Sequence, residues 1–192
     1  MVKDILEKKF KTLEYSIIIS PADTEQKVQE GIQIFYEGDV SLLYNRSYGG
    51  SLGVGASHSK LQKYQTKESY SHDLRPDIVI TKNSNTKLVL DAKYKGKKDG
   101  GGFYGEETEG SIIRWKEEDV DKMHTYRDAL KDVFGSFALY PGKEPVVYPS
   151  HKAGRRFEGV GALPLKPVPG GKPEPKHLAV LQEAIDDFLG AQ

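Results

Sequence analysis

The sequence predicts an α/β domain in which a central mixed β-sheet is flanked by helices. Short runs of β-branched and aromatic residues, bounded by turn residues, recur along the chain and indicate strands. Two later segments carry apolar residues at helical spacing. The chain has 192 residues and no cysteine, so it is long enough for one sizeable core that disulfides do not support. We therefore treat residues 1–192 as a single domain.

The N-terminal part is predicted to contain one helix and three strands. Val2–Lys11 has helical spacing, with Ile5, Leu6 and Phe10 on one side. The predicted strands are Leu13–Ser20, Gly31–Glu37 and Val40–Asn45. Gly38-Asp39 separates the last two strands and is typical of a hairpin turn.

Two glycine-rich segments are predicted to be loops near the functional site. Tyr48–Ser59 contains no GK[ST] sequence, so it is not a Walker phosphate loop. The polar segment Lys60–Ser71 follows it and is a candidate for substrate contact. Gly96–Gly110 is read either as a lid beside the site or as an excursion without a function.

A predicted hairpin lies at the centre of the chain. The apolar runs Ile78–Ile80 and Leu88–Leu90 flank Asn83-Ser84-Asn85. If the turn centres on Ser84, Asp77 lies opposite Asp91. Like charges placed opposite each other destabilise paired strands in water, so a divalent cation between the two aspartates would explain the pattern.

The second strand of this hairpin adds a lysine to the two aspartates. Side chains alternate across a strand, so Asp91 and Lys93 project from the same face. Carboxylate oxygens suit Mg²⁺, and a lysine beside the metal can orient water or stabilise charge on a phosphoryl group. In the simpler interpretation, Asp77 ends a turn and Lys93 is a solvated strand residue.

The C-terminal half is predicted to contain two helices and three strands. The longest predicted helix is Glu118–Phe134, with Val120, Met123, Leu130, Val133 and Phe134 at helical spacing and Gly135 after its end. The predicted strands are Ser136–Tyr140, Val146–Tyr148 and Gly159–Leu165. A Pro/Gly linker, Lys166–Lys176, leads to a closing helix, His177–Leu189, whose predicted inward residues are Leu178, Leu181, Ile185, Phe188 and Leu189.

The predicted long helix presents polar side chains that could contact substrate. Lys122 and Tyr126 are four residues apart and share a face. His124 and Arg127 lie on an adjacent face, where they either contact backbone phosphate or form an ordinary polar surface.

The composition excludes several classes of site and protein. Without cysteine the chain cannot form disulfides, cysteine zinc sites or cysteine-ligated iron–sulfur clusters, and it fits a reducing cytoplasm. No apolar run has the length of a membrane span, and no signal-peptide core is present. The formal net charge is zero, so we expect weak DNA affinity for this chain alone, with positive charge concentrated at Lys93–Lys98, Lys152–Arg156 and Lys166–Lys176.

The ordered set of motifs resembles a known nuclease superfamily. Arg75-Pro76-Asp77 followed by Asp91-Ala92-Lys93 is similar to the PD-(D/E)XK signature of the restriction-endonuclease-like phosphodiesterases. Three further stretches resemble the branch containing the McrC nuclease subunit and its uncharacterised relatives: Asp91-Ala92-Lys93-Tyr94, Asp119…Lys122-Met123…Tyr126 and Phe137-Ala138-Leu139-Tyr140-Pro141-Gly142. The resemblance covers roughly Gly31 to Phe188.

This resemblance implies a restriction-endonuclease-like core and a metal-dependent DNA endonuclease of a restriction or defence system. Asp77, Asp91 and the backbone carbonyl of Ala92 would bind Mg²⁺, with Mn²⁺ as a substitute, and Lys93 would position or stabilise the attacking hydroxide. In relatives a glutamine often stands four residues before the tyrosine, where this chain has Lys122. The candidates for substrate contact are Lys95, Lys122, Tyr126 and Arg127.

The resemblance also raises the question of missing parts and partners. In relatives a first helix often supplies an additional glutamate, and Glu7 is the nearest candidate here, although we do not expect it to be equivalent. An N-terminal region present in larger relatives is expected to be missing. A homodimer or partner would be needed to cut both strands, and an NTPase motor or specificity subunit is implied as a partner.

Two other functions are compatible with the same residues. The chain could be a latent or non-catalytic nucleic-acid-binding module of a larger defence assembly, which its neutral charge would suit. It could also cleave RNA, because a metal site of this kind does not read the sugar. The retention of both aspartates and the lysine favours the enzyme.

Overall fold

The computed structural model describes residues 1–20, 29–49, 69–93, 97–98, 113–151, 154–166, 168 and 171–190. Within them, three helices have the bounds α1 Val2–Glu7, α2 Glu117–Ala129 and α3 Pro175–Leu189. The strands are β1 Thr12–Ser20, β2 Gln29–Tyr36, β3 Val40–Tyr44, β4 Ile78–Lys82, β5 Thr86–Ala92, β6 Lys97–Lys98, β7 Ile113–Arg114, β8 Val133–Tyr140, β9 Val146–Pro149 and β10 Gly159–Pro164.

Eight of these strands form a mixed sheet, with the order β1-β2-β3-β4-β5-β8-β10-β9. Strands β8 and β10 pair in parallel, whereas β1–β2, β2–β3, β3–β4 and β9–β10 are antiparallel. Strands β6 and β7 pair with each other in a separate two-stranded sheet. An eight-stranded mixed sheet flanked by helices confirms the predicted α/β class and is consistent with a restriction-endonuclease-like core.

The chain divides into two compact units, and the division crosses β5 and α2. The first unit comprises Met1–Val89 and Asp128–Val133, and the second comprises Leu90–Arg127 and Phe134–Gln192. Each unit has its own buried apolar residues, such as Leu42 and Val79 in the first and Ala162 and Leu181 in the second. That the whole chain acts as a single domain stays a prediction.

The first unit is built on antiparallel strands joined by tight turns. Gly38 and Asp39 both have positive φ angles, 76° and 54°, in a three-residue loop, and Val40 then pairs with Tyr36. The predicted hairpin between β2 and β3 is therefore confirmed. A second turn links β4 to β5, where Asn83 and Ser84 have φ angles of 52° and 59°.

Helix α1 is shorter than the sequence predicts. The prediction of a helix over Val2–Lys11 is wrong at its C-terminal end, because α1 ends at Glu7. The chain then turns, with the amide of Phe10 donating to the carbonyl of Leu6, so that β1 can begin at Thr12. The helix still buries Val2, Ile5 and Leu6, which is the apolar face that its sequence predicts.

In the second unit, β10 lies between β8, to which it is parallel, and β9, to which it is antiparallel. Gly161 lies so close to β9 that a Cβ there would stand 2.0 Å from the carbonyl oxygen of Val146. Glycine is thus required for the two strands to approach. Helix α3 buries Leu181, Ile185, Phe188 and Leu189, and the ring of Phe188 lies 5.6 Å from that of Phe134 on β8.

The predicted helix Glu118–Phe134 is wrong over its last turn. Helix α2 ends at Ala129, and β8 takes Val133, Phe134 and Gly135. Asp132 adopts a left-handed conformation with a φ angle of 56°, which helical residues do not have, and this redirects the chain. Val133 and Phe134 fit a helical pattern, but they are also good strand formers, so the pattern did not mark the boundary.

Two details of the C-terminal segment also differ from the prediction. Helix α3 begins at Pro175, within the predicted linker Lys166–Lys176, and a proline in the first turn is favourable because its missing N–H would have no helical partner. Leu178, predicted to face inward, is only half-buried, whereas His177 is 1% exposed.

Several predictions concern residues outside the described ones. They include most of the glycine-rich segment Tyr48–Ser59, most of Lys60–Ser71, most of Gly96–Gly110, and Lys152 of the basic loop. None of the helices among the described residues is long and apolar enough to cross a membrane.

Candidate active site

Asp91 is a buried carboxylate near the end of a buried strand. Strand β5 is buried from Lys87 to Asp91, and Asp91 itself is 1% exposed. Just after the strand, the amide of Lys93 donates to the carbonyl of Leu139 at 2.7 Å, which holds the backbone in place. An acidic side chain in this position must be compensated, because an isolated carboxylate is strongly disfavoured away from water.

Three side chains in the second unit converge on the Asp91 carboxylate. The ammonium of Lys93 contacts Oδ2, as the alternation of side chains along the strand predicts. The ammonium of Lys122 lies 3.2 Å from Oδ1 and 3.5 Å from Oδ2. The hydroxyl of Tyr126 donates to Oδ1 at 3.0 Å. Asp91 thus accepts three charge-assisted contacts, two from ammonium groups and one from a phenol.

Helix α2 supplies two of these three donors. Lys122 and Tyr126 are four residues apart, so they lie on one face of the helix, as predicted. The Lys122 ammonium also lies 5.1 Å from the centre of the Tyr126 ring, a cation–π distance. Met123 is fully buried and its sulfur accepts a hydrogen bond from Ser136 of β8, which anchors this part of the helix.

Burial and neighbouring charges together perturb the pKa of two groups at this site. Burial acts to lower the pKa of the Lys93 ammonium, but its hydrogen bond and ion pair with Asp91 outweigh burial and leave that pKa above its ordinary value. Burial raises the pKa of the Asp119 carboxyl, and the positive charge of Lys93 acts in the opposite direction. Asp91, Lys93, Lys122 and Asp119 together carry two negative and two positive charges when ionised.

The remaining predicted residues are placed as follows. Asp77 belongs to the first unit, where it is half-buried directly before β4 and its carbonyl accepts the amide of Asn45 at 2.9 Å. Ala92 is the last residue of β5. Lys95 lies outside the described residues. The pairing of Asp77 with Asp91 and the roles of these residues stay predictions.

Two polar residues of α2 were proposed as phosphate contacts. His124 is exposed, and Arg127 is half-buried. The Nε atom of Arg127 is buried, and within the described part of the chain it has no hydrogen-bond partner. Phosphate binding by either residue stays a prediction.

Glu7 is the nearest candidate for the additional glutamate of related nucleases. It is exposed, and its carboxylate accepts hydrogen bonds from Lys3, Thr12 and Tyr15 within the first unit. These contacts give Glu7 a local structural role at the junction of α1 and β1. A role in metal binding stays unexpected.

Asp119 is the residue that the sequence-based set of site residues missed. It lies in the first turn of α2 and is 9% exposed. Its spacing from Lys122 and Tyr126, three and seven residues, places it on the same helical face. That spacing was visible in the sequence, but only burial distinguishes Asp119 from the other acidic residues of the same turn.

The residues of this site can hold a hard divalent cation if one ammonium group leaves the Asp91 carboxylate. Among the described residues, no three His, Cys, Asp or Glu side chains come together to hold a metal. Mg²⁺ keeps several waters and takes as few as one or two carboxylates, so a group of that size is not required. Both oxygens of Asp91 are engaged by ammonium groups, so a cation at Asp91 would have to replace at least one of them.

Comparison with known proteins identifies the superfamily. No curated protein and no solved structure matches the chain. A family model described as the PD-(D/E)XK nuclease superfamily matches residues 1–145, which include Asp77, Asp91 and Lys93 as well as all of β4, β5 and α2. Because this match extends over well more than half of the sequence, the chain belongs to the PD-(D/E)XK nuclease superfamily.

Proposed function

We propose that this protein is a Mg²⁺-dependent nuclease that hydrolyses phosphodiester bonds in DNA. Members of the superfamily typically use divalent metals, and the superfamily assignment supports nuclease activity. Asp77, Asp91 and the carbonyl of Ala92 are the proposed ligands, and Mn²⁺ is the expected substitute for Mg²⁺.

The observation that carries this proposal is the convergence of two lysines and a tyrosine on the buried Asp91. A buried carboxylate needs several donors to satisfy its lone pairs, and a metal ion can take the place of one of them. Here two cations and a phenol surround a carboxylate that directly precedes Ala92-Lys93 of the signature. A metal ion can replace one of the two ammonium groups at Asp91, and the displaced ammonium can then contact a phosphate of the substrate.

The chain's own residues have distinct roles in the proposed reaction. A divalent cation, when bound, would activate a water and offset negative charge on the phosphoryl oxygens. Lys93 orients the attacking water and stabilises the charge that develops on the phosphate. Lys122 is 44% exposed and can reach a phosphate oxygen of the substrate, while Tyr126 keeps the Asp91 carboxylate in position.

The DNA substrate and the biological setting are part of the proposal. Resemblance to the McrC-like branch supports a role in restriction or defence, with an NTPase motor or a specificity subunit as partner. The formal net charge of zero supports a need for such a partner, because most of DNA affinity comes from phosphate contacts with basic residues. Lys95, Lys122, Tyr126 and Arg127 are the proposed substrate contacts.

A plasmid-nicking assay tests the proposed activity. We expect the wild-type protein to nick supercoiled DNA with Mg²⁺ and to be inactive in EDTA. Lys93→Met removes the ammonium and should reduce the rate by about 10²–10³-fold, the usual effect of losing one group that stabilises the transition state. Asp121→Asn is the matched control, because Asp121 is exposed on the same helix and should leave the rate unchanged.

The same assay separates DNA from RNA as substrate. Matched single-stranded and duplex oligonucleotides of each kind, supplied with Mg²⁺, are followed for cleavage. Faster cleavage of DNA supports the proposal. If only RNA were cleaved, the proposed metal-dependent hydrolysis would stand, but DNA would be refuted as the substrate.

A second candidate function is a latent nucleic-acid-binding module. The observation that favours it is that Glu7, the nearest candidate for the additional glutamate of related nucleases, is exposed and bonded to Lys3, Thr12 and Tyr15 instead. Fluorescence anisotropy with a labelled oligonucleotide would detect binding without metal. Binding that needs no metal, together with no cleavage at any Mg²⁺ or Mn²⁺ concentration, would support this module over the enzyme.

A further inference from the structure

Asp119 is a largely buried carboxylate at the start of α2. It is 9% exposed, and the first turn of a helix favours a negative charge at this position. Its neighbour Glu118, by contrast, is exposed and pairs with Lys116 at 3.0 Å. A carboxylate with so little access to water gains more than an exposed one from an ammonium that comes into contact with it.

The fold places Asp119 beside the residues that hold Asp91. Along α2, Asp119 precedes Lys122 by three residues and Tyr126 by seven, so all three lie on one helical face. The other two members of this face both contact the Asp91 carboxylate. Asp119 also interacts electrostatically with Lys93, whose ammonium contacts Asp91 from the strand.

A cation at Asp91 creates a conflict that the cluster must resolve. The Lys93 ammonium contacts Oδ2, and Lys122 and Tyr126 contact Oδ1. A divalent cation bound to this carboxylate would repel the ammonium of Lys93, whose side chain is only 22% exposed and therefore has limited access to water. Lys93 then requires another negative partner within its reach.

We propose that Asp119 is a positioning residue that receives the ammonium of Lys93 when a divalent cation occupies Asp91. When the Lys93 ammonium moves from Asp91 to Asp119, it keeps a negative partner and leaves Asp91 to the metal. It also stays beside the reacting phosphate. Asp119 therefore acts through Lys93 and binds neither metal nor substrate itself. This inference rests on the proposed metal-dependent function of Asp91 and adds a mechanism by which the site accepts its metal.

A double-mutant cycle on metal binding tests this role directly. The dissociation constant for Mn²⁺ alone is measured by calorimetry for the wild type, Asp119→Asn, Lys93→Met and the double variant. Asp119→Asn should weaken Mn²⁺ binding roughly tenfold, the size expected for neighbouring groups that interact. In the Lys93→Met background the same change should alter affinity by less than about twofold, because no ammonium remains to be received.

The controls separate this role from general effects of charge and folding. Glu118→Gln removes an equal charge from the same helical turn and should leave Mn²⁺ affinity close to that of the wild type. Trp115 is the only tryptophan and lies two residues before α2, so its emission reports whether the start of the helix is intact. If Asp119→Asn fails to fold, Asp119→Glu keeps the charge and should bind Mn²⁺ within about threefold of the wild type.

Each outcome of the cycle has a definite meaning. If Asp119→Asn weakened Mn²⁺ binding equally in the wild type and in Lys93→Met, Asp119 would be a direct ligand and the proposal would be overturned. Unchanged affinity in the wild-type background would also overturn it, while loss of Mn²⁺ binding in Asp91→Asn would leave the proposed function standing. A wild-type protein that binds no Mn²⁺ would refute the proposed function and this inference together.

Discussion

Replacing Asp91 by asparagine tests how strongly the cluster depends on the carboxylate. Asparagine has nearly the same shape, so the change removes the charge without opening a cavity. The hydroxyl of Tyr126 keeps a neutral acceptor, whereas Lys93 and Lys122 lose their shared negative partner. The apo protein should therefore lose stability as well as its proposed metal ligand.

The size of this loss follows from the three contacts. A hydrogen bond to a charged group contributes about 1.5–3 kcal/mol and a neutral one about 0.5–1.5 kcal/mol, so Tyr126 accounts for about 1 kcal/mol. Lys93 is partly buried and adds about 1 kcal/mol, while the more exposed Lys122 adds about 0–1 kcal/mol because solvent screens it. The free energy of unfolding should fall by about 2–3 kcal/mol, or roughly 4–12 °C in Tm.

Urea unfolding followed by the fluorescence of Trp115 measures this difference. EDTA is present throughout, because bound metal would stabilise the wild type alone. Asp121→Asn on the exposed face of α2 is the control and should change the free energy of unfolding by less than about 0.5 kcal/mol. If Asp91→Asn were equally neutral, the inferred role of the carboxylate in holding the cluster together would be wrong.

Three further predictions concern the same site and the fold around it. Tyr126→Phe removes one hydrogen bond to the carboxylate and should lower the free energy of unfolding by about 1–2 kcal/mol in urea melts, whereas the partly exposed Tyr148→Phe should be neutral; equal effects would contradict the geometry. Gly161→Ala forces a methyl group onto a carbonyl oxygen of β9 and should cost about 1–3 kcal/mol or more, measured as a lower Tm against Gly154→Ala, which has space. Mg²⁺ at 100 times its Kd should raise the free energy of unfolding of the wild type by about 2.7 kcal/mol, and an equal gain in Asp91→Asn would show that the metal binds elsewhere.

Local sequence patterns predicted the structure correctly where only one backbone geometry is compatible with the pattern. Gly38-Asp39 requires positive φ angles that few residues adopt, and the hairpin occurs where these residues predict it. Alternation along β5 correctly placed Asp91 and Lys93 on one face, because the side-chain period of a strand is fixed.

Boundaries were predicted less well where two structures suit the same residues. Val133 and Phe134 continue the apolar pattern of α2, yet they belong to β8 because Asp132 turns the chain. Phe10 has helical spacing from Leu6, but the helix ends earlier so that β1 can begin.

The side chains that surround Asp91 could be identified only from the tertiary structure. The four-residue spacing placed Lys122 and Tyr126 on one face but did not show that both reach Asp91, since that contact joins residues more than thirty positions apart. The burial of Asp119 likewise depends on what α2 packs against.

The rate of plasmid nicking by wild type and Asp91→Asn at saturating Mg²⁺ shows whether cleavage depends on the Asp91 carboxylate. We expect metal-dependent nicking by the wild type and a rate for Asp91→Asn no higher than that of the EDTA control. Both proteins are compared below the Tm of the variant, so that unfolding does not contribute. Nicking by a folded Asp91→Asn at the wild-type rate would refute the proposed role of Asp91, because the carboxylate around which the site is built would then be dispensable.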